Sequence, residues 1–166
     1  MNRILIRQIL LEDIDGFHAC LDSVARERIY LVYTEAAPLE ETHKSLVVDM
    51  AQGKIRLVAL DGSKIVGWCQ IKSGNWEGYT LMGRLQMGVQ NEYRGQGIGT
   101  ALLGQALEEA RCRGLERVEL GVYVSNLTAI HLHEKYKFEI EGLKKRARKI
   151  DGSYDDIIEV APYFNV

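Results

Sequence analysis

The chain has 166 residues, 46% hydrophobic and 27% charged, with 16 glycines against 2 prolines. That length suits one domain, residues 1–166, built on one core, and the apolar share is too high for a disordered chain. With 21 Lys+Arg against 23 Asp+Glu the net charge is −2, which recruits no nucleic acid. No apolar run reaches the roughly 18–20 residues that cross a bilayer, so no membrane partner is expected. Met1-Asn2-Arg3 brings in a charge before a signal-peptide core can form. Cys20, Cys69 and Cys112 are widely spaced, make no metal-ligand pattern, and fit a reducing, cytoplasmic setting.

Ile4, Ile6 and Gln8 alternate with Leu5, Arg7 and Ile9, which predicts an opening strand. Glu12 to Arg28 carries Ile14, Phe17, Leu21 and Val24 at spacings of three and four, an amphipathic helix. Tyr30 to Pro38 has no clean period, and Glu40 to Met50 reads as helix with Leu46, Val47 and Met50 on one side. Arg56–Leu60 and Ile65–Ile71 flank Asp61-Gly62-Ser63, a strong hairpin signal. Tyr79 to Val89 is a further strand interrupted by Gly83 and Gly88. Gly97 to Arg113 is the clearest helix, with Ile98, Leu102, Leu103, Ala106, Leu107 and Ala110 as its buried stripe and Gly114 as its stop. Arg117 to Val124 reads as strand, Asn126 to Tyr136 as a short helix, and Phe138–Lys149 and Tyr154–Ala161 as closing strands around Asp151-Gly152. This order implies an α/β or α+β sheet with helices on its faces.

The chemistry concentrates where a strand runs into the best helix, at Val89-Gln90-Asn91-Glu92-Tyr93-Arg94-Gly95-Gln96-Gly97-Ile98-Gly99-Thr100. Glycines there let the backbone approach a ligand without Cβ obstruction. The first helical turn offers unsatisfied N–H groups and the positive end of the helix dipole, which favour a phosphate. Arg94 adds a mobile cation and Thr100 a hydroxyl. The spacing matches neither the lysine-bearing phosphate loop nor the dinucleotide fingerprint.

Arg94-Gly95-Gln96-Gly97-Ile98-Gly99 resembles the Arg/Gln-x-x-Gly-x-Gly/Ala motif of the N-acetyltransferase (GNAT) superfamily. Downstream, Asn126-Leu127-Thr128-Ala129-Ile130-His131-Leu132-His133-Glu134-Lys135-Tyr136-Lys137-Phe138 is similar to Asn-x-x-Ala-x-x-Leu-Tyr-x-Lys-x-Gly-Phe, the second half of that family's coenzyme site. The resemblance implies a mixed, mostly antiparallel twisted sheet of six to seven strands with about four helices. It implies acetyl-coenzyme A as co-substrate, no metal, and a homodimer. Its coenzyme residues map onto Met87, Gly88, Val89, Arg94, Gly95, Gln96, Gly97, Ile98, Gly99, Thr100, Asn126, Ala129 and Lys135. Within these, the Met87 N–H meets the thioester carbonyl, Val89 pairs with pantetheine, and the glycine turn holds the pyrophosphate.

Asn126, Ala129 and His133 share one side of their helix. Asn126 is equally placed to cap that helix or to touch a ligand. His133 stands where the family usually has a tyrosine acid that protonates the leaving thiolate. A histidine can donate a proton with an unperturbed pKa of about 6.5, or it can be a solvated helix residue; Tyr136 is the alternative donor. Lys137 replaces the usual glycine. The family's base positions correspond to Gly83 and Gly121, which carry no carboxylate. Glu119 is the nearest substitute, set against an ion-pair role that suits it better; Glu35, Glu77 and Glu141 are weaker choices, and deprotonation through ordered water with no single base is the open alternative. Tyr30, Tyr33 and Glu35 form the expected acceptor wall. Lys144-Lys145-Arg146-x-Arg148-Lys149 reads as a solvated face, with a minor option of contacting an acidic group. The expected activity is transfer of acetyl, in a ternary complex, to a primary amine of a small molecule such as an amino acid or an amino-acid-like antimetabolite. A protein N-terminal or lysine acetyltransferase is the second reading, and a non-catalytic acyl-coenzyme A sensor the third.

Overall fold

Seven strands and four helices are found in the computed structural model, which describes residues 4–74, 76–162 and 164. Met1, Asn2 and Arg3, read above against a signal peptide, lie outside the described residues. In chain order the elements are β1 (Leu5–Gln8), α1 (Ile14–Ala25), α2 (Leu39–Ala51), β2 (Ile55–Asp61), β3 (Lys64–Ser73), β4 (Met82–Val89), α3 (Ile98–Cys112), β5 (Arg117–Tyr123), α4 (Leu127–Lys135), β6 (Glu139–Ile150) and β7 (Ser153–Ala161). The strand order is β1-β2-β3-β4-β5-β7-β6. β1–β2, β2–β3, β5–β7 and β6–β7 are antiparallel, and β4–β5 is parallel across the α3 connection. This is the mixed, mostly antiparallel sheet of six to seven strands that the family resemblance implies. Among the described residues no helix is long and apolar enough to cross a membrane.

Backbone contacts divide the chain into two compact units, Met1–Lys72 with Gln86–Glu109, and Ser73–Leu85 with Ala110–Val166. The first unit has a core of Ile14, Phe17, Cys20 and Val24 from α1, Leu46 from α2, and Val58, Leu60, Ile65 and Trp68 from β2 and β3. Trp68 meets Phe17 edge-on at 6.1 Å between ring centroids, a geometry in which the ring quadrupoles attract. Helix α1 ends before the predicted Arg28, whose φ of 61° is incompatible with a continuing right-handed helix. On α2 the buried positions are Thr42, Leu46 and Asp49, not the Val47 side that apolarity alone suggests. Asp49 is buried because Arg56 of β2 and Lys72 of β3 pair with it, Arg56 Nε at 2.8 Å and Lys72 at 2.9 Å. Every apolar position predicted for α3 is buried.

In the second unit, β5 buries Val118, Leu120 and Val122, while Val124 is exposed past its end. The β6–β7 hairpin turns through Asp151 and Gly152, whose φ values of 51° and 80° are those of a two-residue primed turn. β6 lies last in the strand order. Its register with β7 slips between Ile140 and Gly142 and again between Lys144 and Arg148, and Arg146 within the second slip has φ of 52°. The basic run is largely engaged. Lys144 pairs with Glu159 at 2.5 Å, Arg148 lies 3.8 Å from the Tyr123 ring centroid, and Arg146 lies 3.9 Å from that of Tyr154.

Candidate active site

In the first unit, β4 runs through a short 3-10 turn at Asn91–Tyr93 into α3. Gly95 and Gly97 have φ of 72° and 81°, and nothing lies within 4 Å of where a Cβ would stand at either. Only glycine adopts that backbone without strain. The α3 ladder begins when the Ala101 N–H donates to Gly97 O at 3.0 Å, which sets the start of the helix directly after the two left-handed glycines. No acidic residue occupies that first turn. The positive end of the helix is therefore left to an external anion, and the exposed glycines open space for it.

Arg94 is not the mobile cation expected beside this turn. Its Nε donates to Val89 O at 2.8 Å, its two terminal nitrogens grip Glu27 at 2.7 and 2.5 Å, and a third contact reaches Asn91 Oδ1 at 3.2 Å. The guanidinium also lies 4.5 Å from the Tyr30 ring centroid. Such a bidentate, stacked arginine is a strut that sets the turn, and Glu27 is the partner that sequence pattern did not single out. Gln96 donates to Glu92 O at 3.1 Å and tightens the same loop. Gly88 answers to packing: a Cβ there would stand 2.3 Å from the Trp68 ring. The parallel ladder of β4 with β5 holds Met82↔Arg117, Gly83↔Val118 and Arg84↔Glu119.

The acceptor-wall residues are placed unequally. Tyr30 and Tyr33 are half-buried against the first unit's core, Tyr30 beneath Arg94. The Tyr33 hydroxyl accepts from Gln86 Nε2 at 3.0 Å, and Gln86 Oε1 accepts from Gln70 Nε2 at 2.6 Å. Glu35 is exposed and meets Arg26 at 3.7 Å.

In the second unit, Asn126 caps α4: its Oδ1 accepts from the Ala129 N–H at 3.1 Å. Ala129 is half-buried and Lys135 exposed. His133 is the surprise. It is 4% exposed, its ring packs on Phe138 at 5.1 Å, and its Nδ1 has no hydrogen-bond partner among the described residues. Burial pulls its pKa down to about 4, so the ring is neutral at pH 7 and the solvated-helix alternative is excluded. Lys137 takes the left-handed conformation, φ 60°, that the usual glycine would supply.

Glu119 sits in an ion-pair chain. It faces Arg84 at 3.3 Å and Arg117 at 3.2 Å, and Arg117 is held by Glu141, Nη1 to Oε1 at 2.6 Å. Its ion-pair role is the one realised here. A carboxylate does reach Gly121, from another strand. The register pairs Gly121 with Glu159 of β7, and a Cβ on Gly121 would stand 3.3 Å from Glu159 Oε1. Glu159 pairs with Lys144 at 2.5 Å and Arg84 at 3.6 Å. Only the β5–β7 pairing could have pointed to it, since along the chain it is far from Gly121.

Residues 20–138 match the model of the acetyltransferase (GNAT) family. The chain belongs to that family. Among GNAT relatives it is 35% identical over 82 residues to "N-alpha-acetyltransferase 30" of Schizosaccharomyces pombe, covering 49% of this chain and 55% of the relative. It is 30% identical over 110 residues to the L-methionine sulfoximine/L-methionine sulfone acetyltransferase of Pseudomonas aeruginosa, 64% of this chain and 63% of the relative. The chain thus spans less than two thirds of the length of either. A GNAT superfamily phosphinothricin acetyltransferase from Sinorhizobium meliloti, solved in complex with acetyl-coenzyme A, superposes with a TM-score of 0.91 over 99% of this chain and 90% of that one. At 19% identity that likeness is one of fold.

Proposed function

We propose that the chain is a cytoplasmic N-acetyltransferase, acting as one domain over residues 1–166. It moves acetyl from acetyl-coenzyme A directly onto the primary amine of a small molecule, such as an amino acid or an amino-acid-like antimetabolite. The reading is carried by the glycine turn: left-handed Gly95 and Gly97 with open space above them, before a helix whose first turn lacks an acid. Gly95, Gln96, Gly97, Ile98, Gly99 and Thr100 would hold the pyrophosphate through the backbone. Arg94 would act by fixing the Val89 carbonyl, and hence the peptide plane beside pantetheine. The Met87 N–H would face the thioester carbonyl, a contact whose loss in other acyl-transfer sites costs about 3–4 kcal/mol. Asn126, Ala129 and Lys135 would complete the coenzyme contacts on α4.

Acetyl-coenzyme A supplies an activated thioester. The amine forms the new N–C bond and loses a proton as the C–S bond breaks and the thiolate gains one. Glu119 is held in ion pairs with Arg84 and Arg117, which favours ordered water for receiving the amine proton. His133 can donate only from its neutral ring, so Tyr136 and solvent compete with it as the acid. The yeast relative motivates the second reading, acetylation of protein N-termini, and a homodimer is proposed on the family resemblance alone.

The test is a thermal-shift titration with acetyl-coenzyme A, then a free-thiol release assay over amino acids, amines and peptides. Stabilisation plus amine-dependent thiol release is expected. No stabilisation at millimolar ligand overturns the coenzyme reading, and stabilisation without release on any amine leaves the sensor reading in its place.

A further inference from the structure

The side chains of Gln70, Gln86 and Tyr33 form a directed hydrogen-bond ladder. Gln70 Nε2 donates to Gln86 Oε1, and Gln86 Nε2 donates to the Tyr33 hydroxyl. With its oxygen already accepting, Tyr33 has its own O–H left to give, and among the described residues no acceptor takes it. A donor at the end of such a chain is strengthened, because each bond polarises the next. Burial, opposed by the Gln86 bond and the charge of Arg56, raises the phenol's pKa, so the proton stays on at neutral pH.

The surroundings favour a negative partner. Arg56 lies directly across from Gln70 in the β2–β3 register, and Lys72 is two residues beyond Gln70, on the same face of β3. Arg56 and Lys72 share the one carboxylate of Asp49, and Lys72 stays 40% exposed. That leaves an excess of positive charge beside the ladder. Gln86 immediately precedes Met87, so the ladder stands one residue from the backbone assigned above to the thioester.

We infer that Tyr33, positioned by Gln86 and Gln70, is a specificity-determining donor to an anionic oxygen of the acceptor. The acceptor is thereby a small amine that carries a carboxylate, in preference to a polyamine or a peptide. This rests on the acetyltransferase reading. Tyr33 touches substrate; Gln86 and Gln70 act through it and are positioning residues.

The experiment measures kcat/KM for each L-amino acid against the amine left by its decarboxylation, such as leucine against 3-methylbutylamine. The wild-type protein should prefer the carboxylate-bearing member. Tyr33→Phe should lower that preference roughly ten- to a hundredfold, the weight of one hydrogen bond to a charged group. Gln86→Leu should lower it less, and should add nothing in the Tyr33→Phe background. Gln86→Glu, which sets a negative charge beside the phenol, should lower it while the acetyl-coenzyme A thermal shift persists. An active wild type that prefers the decarboxylated amines, acetylates only peptides, or keeps its preference in Tyr33→Phe overturns the inference alone. A wild type that neither binds acetyl-coenzyme A nor releases thiol overturns the acetyltransferase reading, and the inference falls with it.

Discussion

The turn from β4 into α3 and the stretch from β5 through α4 carry the two halves of the family motif, and they are built on different principles. In the turn, the ligand contact proposed above belongs to the backbone, and the requirement falls on residues that lack side chains. Left-handed Gly95 and Gly97 and a helix start without an acid define it, so residue type alone announces the site. In the β5–α4 stretch the chemistry belongs to side chains, and their environment decides what they do. His133 is neutral because it is buried, and Glu119 is engaged because Arg84 and Arg117 flank it. The backbone conformation expected of the turn is the one found at Gly95 and Gly97, whereas the expected side-chain roles are rewritten by burial and strand register.

The sharpest way to break this contrast is Gly97→Val. A branched side chain at φ 81° strains the turn and fills the space above it. Losing the first-turn contacts to a charged group should cost about 3–4 kcal/mol of acetyl-coenzyme A affinity, more than a hundredfold, read by titration calorimetry on folded protein.

The second test addresses His133. With a pKa of about 4 in the fold against about 6.5 when unfolded, the unfolded chain binds the proton first as pH falls. Its contribution to stability is therefore complete above pH 6.5 and lost progressively down to about pH 4, on the order of 3 kcal/mol in all. His133→Leu should flatten that part of a urea-denaturation series across pH. An unchanged slope would show that the ring charges freely and would restore it as an imidazolium acid.

The smallest effect is expected at Lys137. Its left-handed backbone costs about 1–2 kcal/mol for a residue with a Cβ, partly offset by glycine's greater freedom when unfolded. Lys137→Gly should stabilise by about 0.5–1 kcal/mol in chemical denaturation, with the acetyl-coenzyme A affinity unchanged.

The same division explains what was legible. The α3 stripe, the Asp-Gly hairpins and the Gly114 stop were readable because periodicity and turn chemistry are local. On α2, apolarity pointed to Val47, but a buried ion pair draws Asp49 inward, and Arg56 is seven residues away on another element. Arg94 was placed at the right turn but given the wrong task, since Glu27 lies far upstream. Gly88 shows in the sequence only as an interruption of a strand, while the Trp68 ring is what occupies the place of its side chain. Glu159 was invisible beside Gly121 until β7 was paired with β5. Each of these failures involves a partner on another element, whereas the early end of α1, before the left-handed Arg28, is one of local conformation.

The slipped register of β6 has a consequence for the protein in a crowded solution. A long strand at the end of a sheet offers a row of backbone donors and acceptors to any other extended chain. Here two slips and the left-handed Arg146 break that row into short pieces, and lysines and arginines crowd its second half. A growing fibril needs a flat, continuous template, and this edge presents a kinked and charged one. The bulge at Arg146 therefore acts as insulation. Straightening it by deleting two of the residues between Lys144 and Arg148 would join the pieces on either side of it into one longer adhesive border.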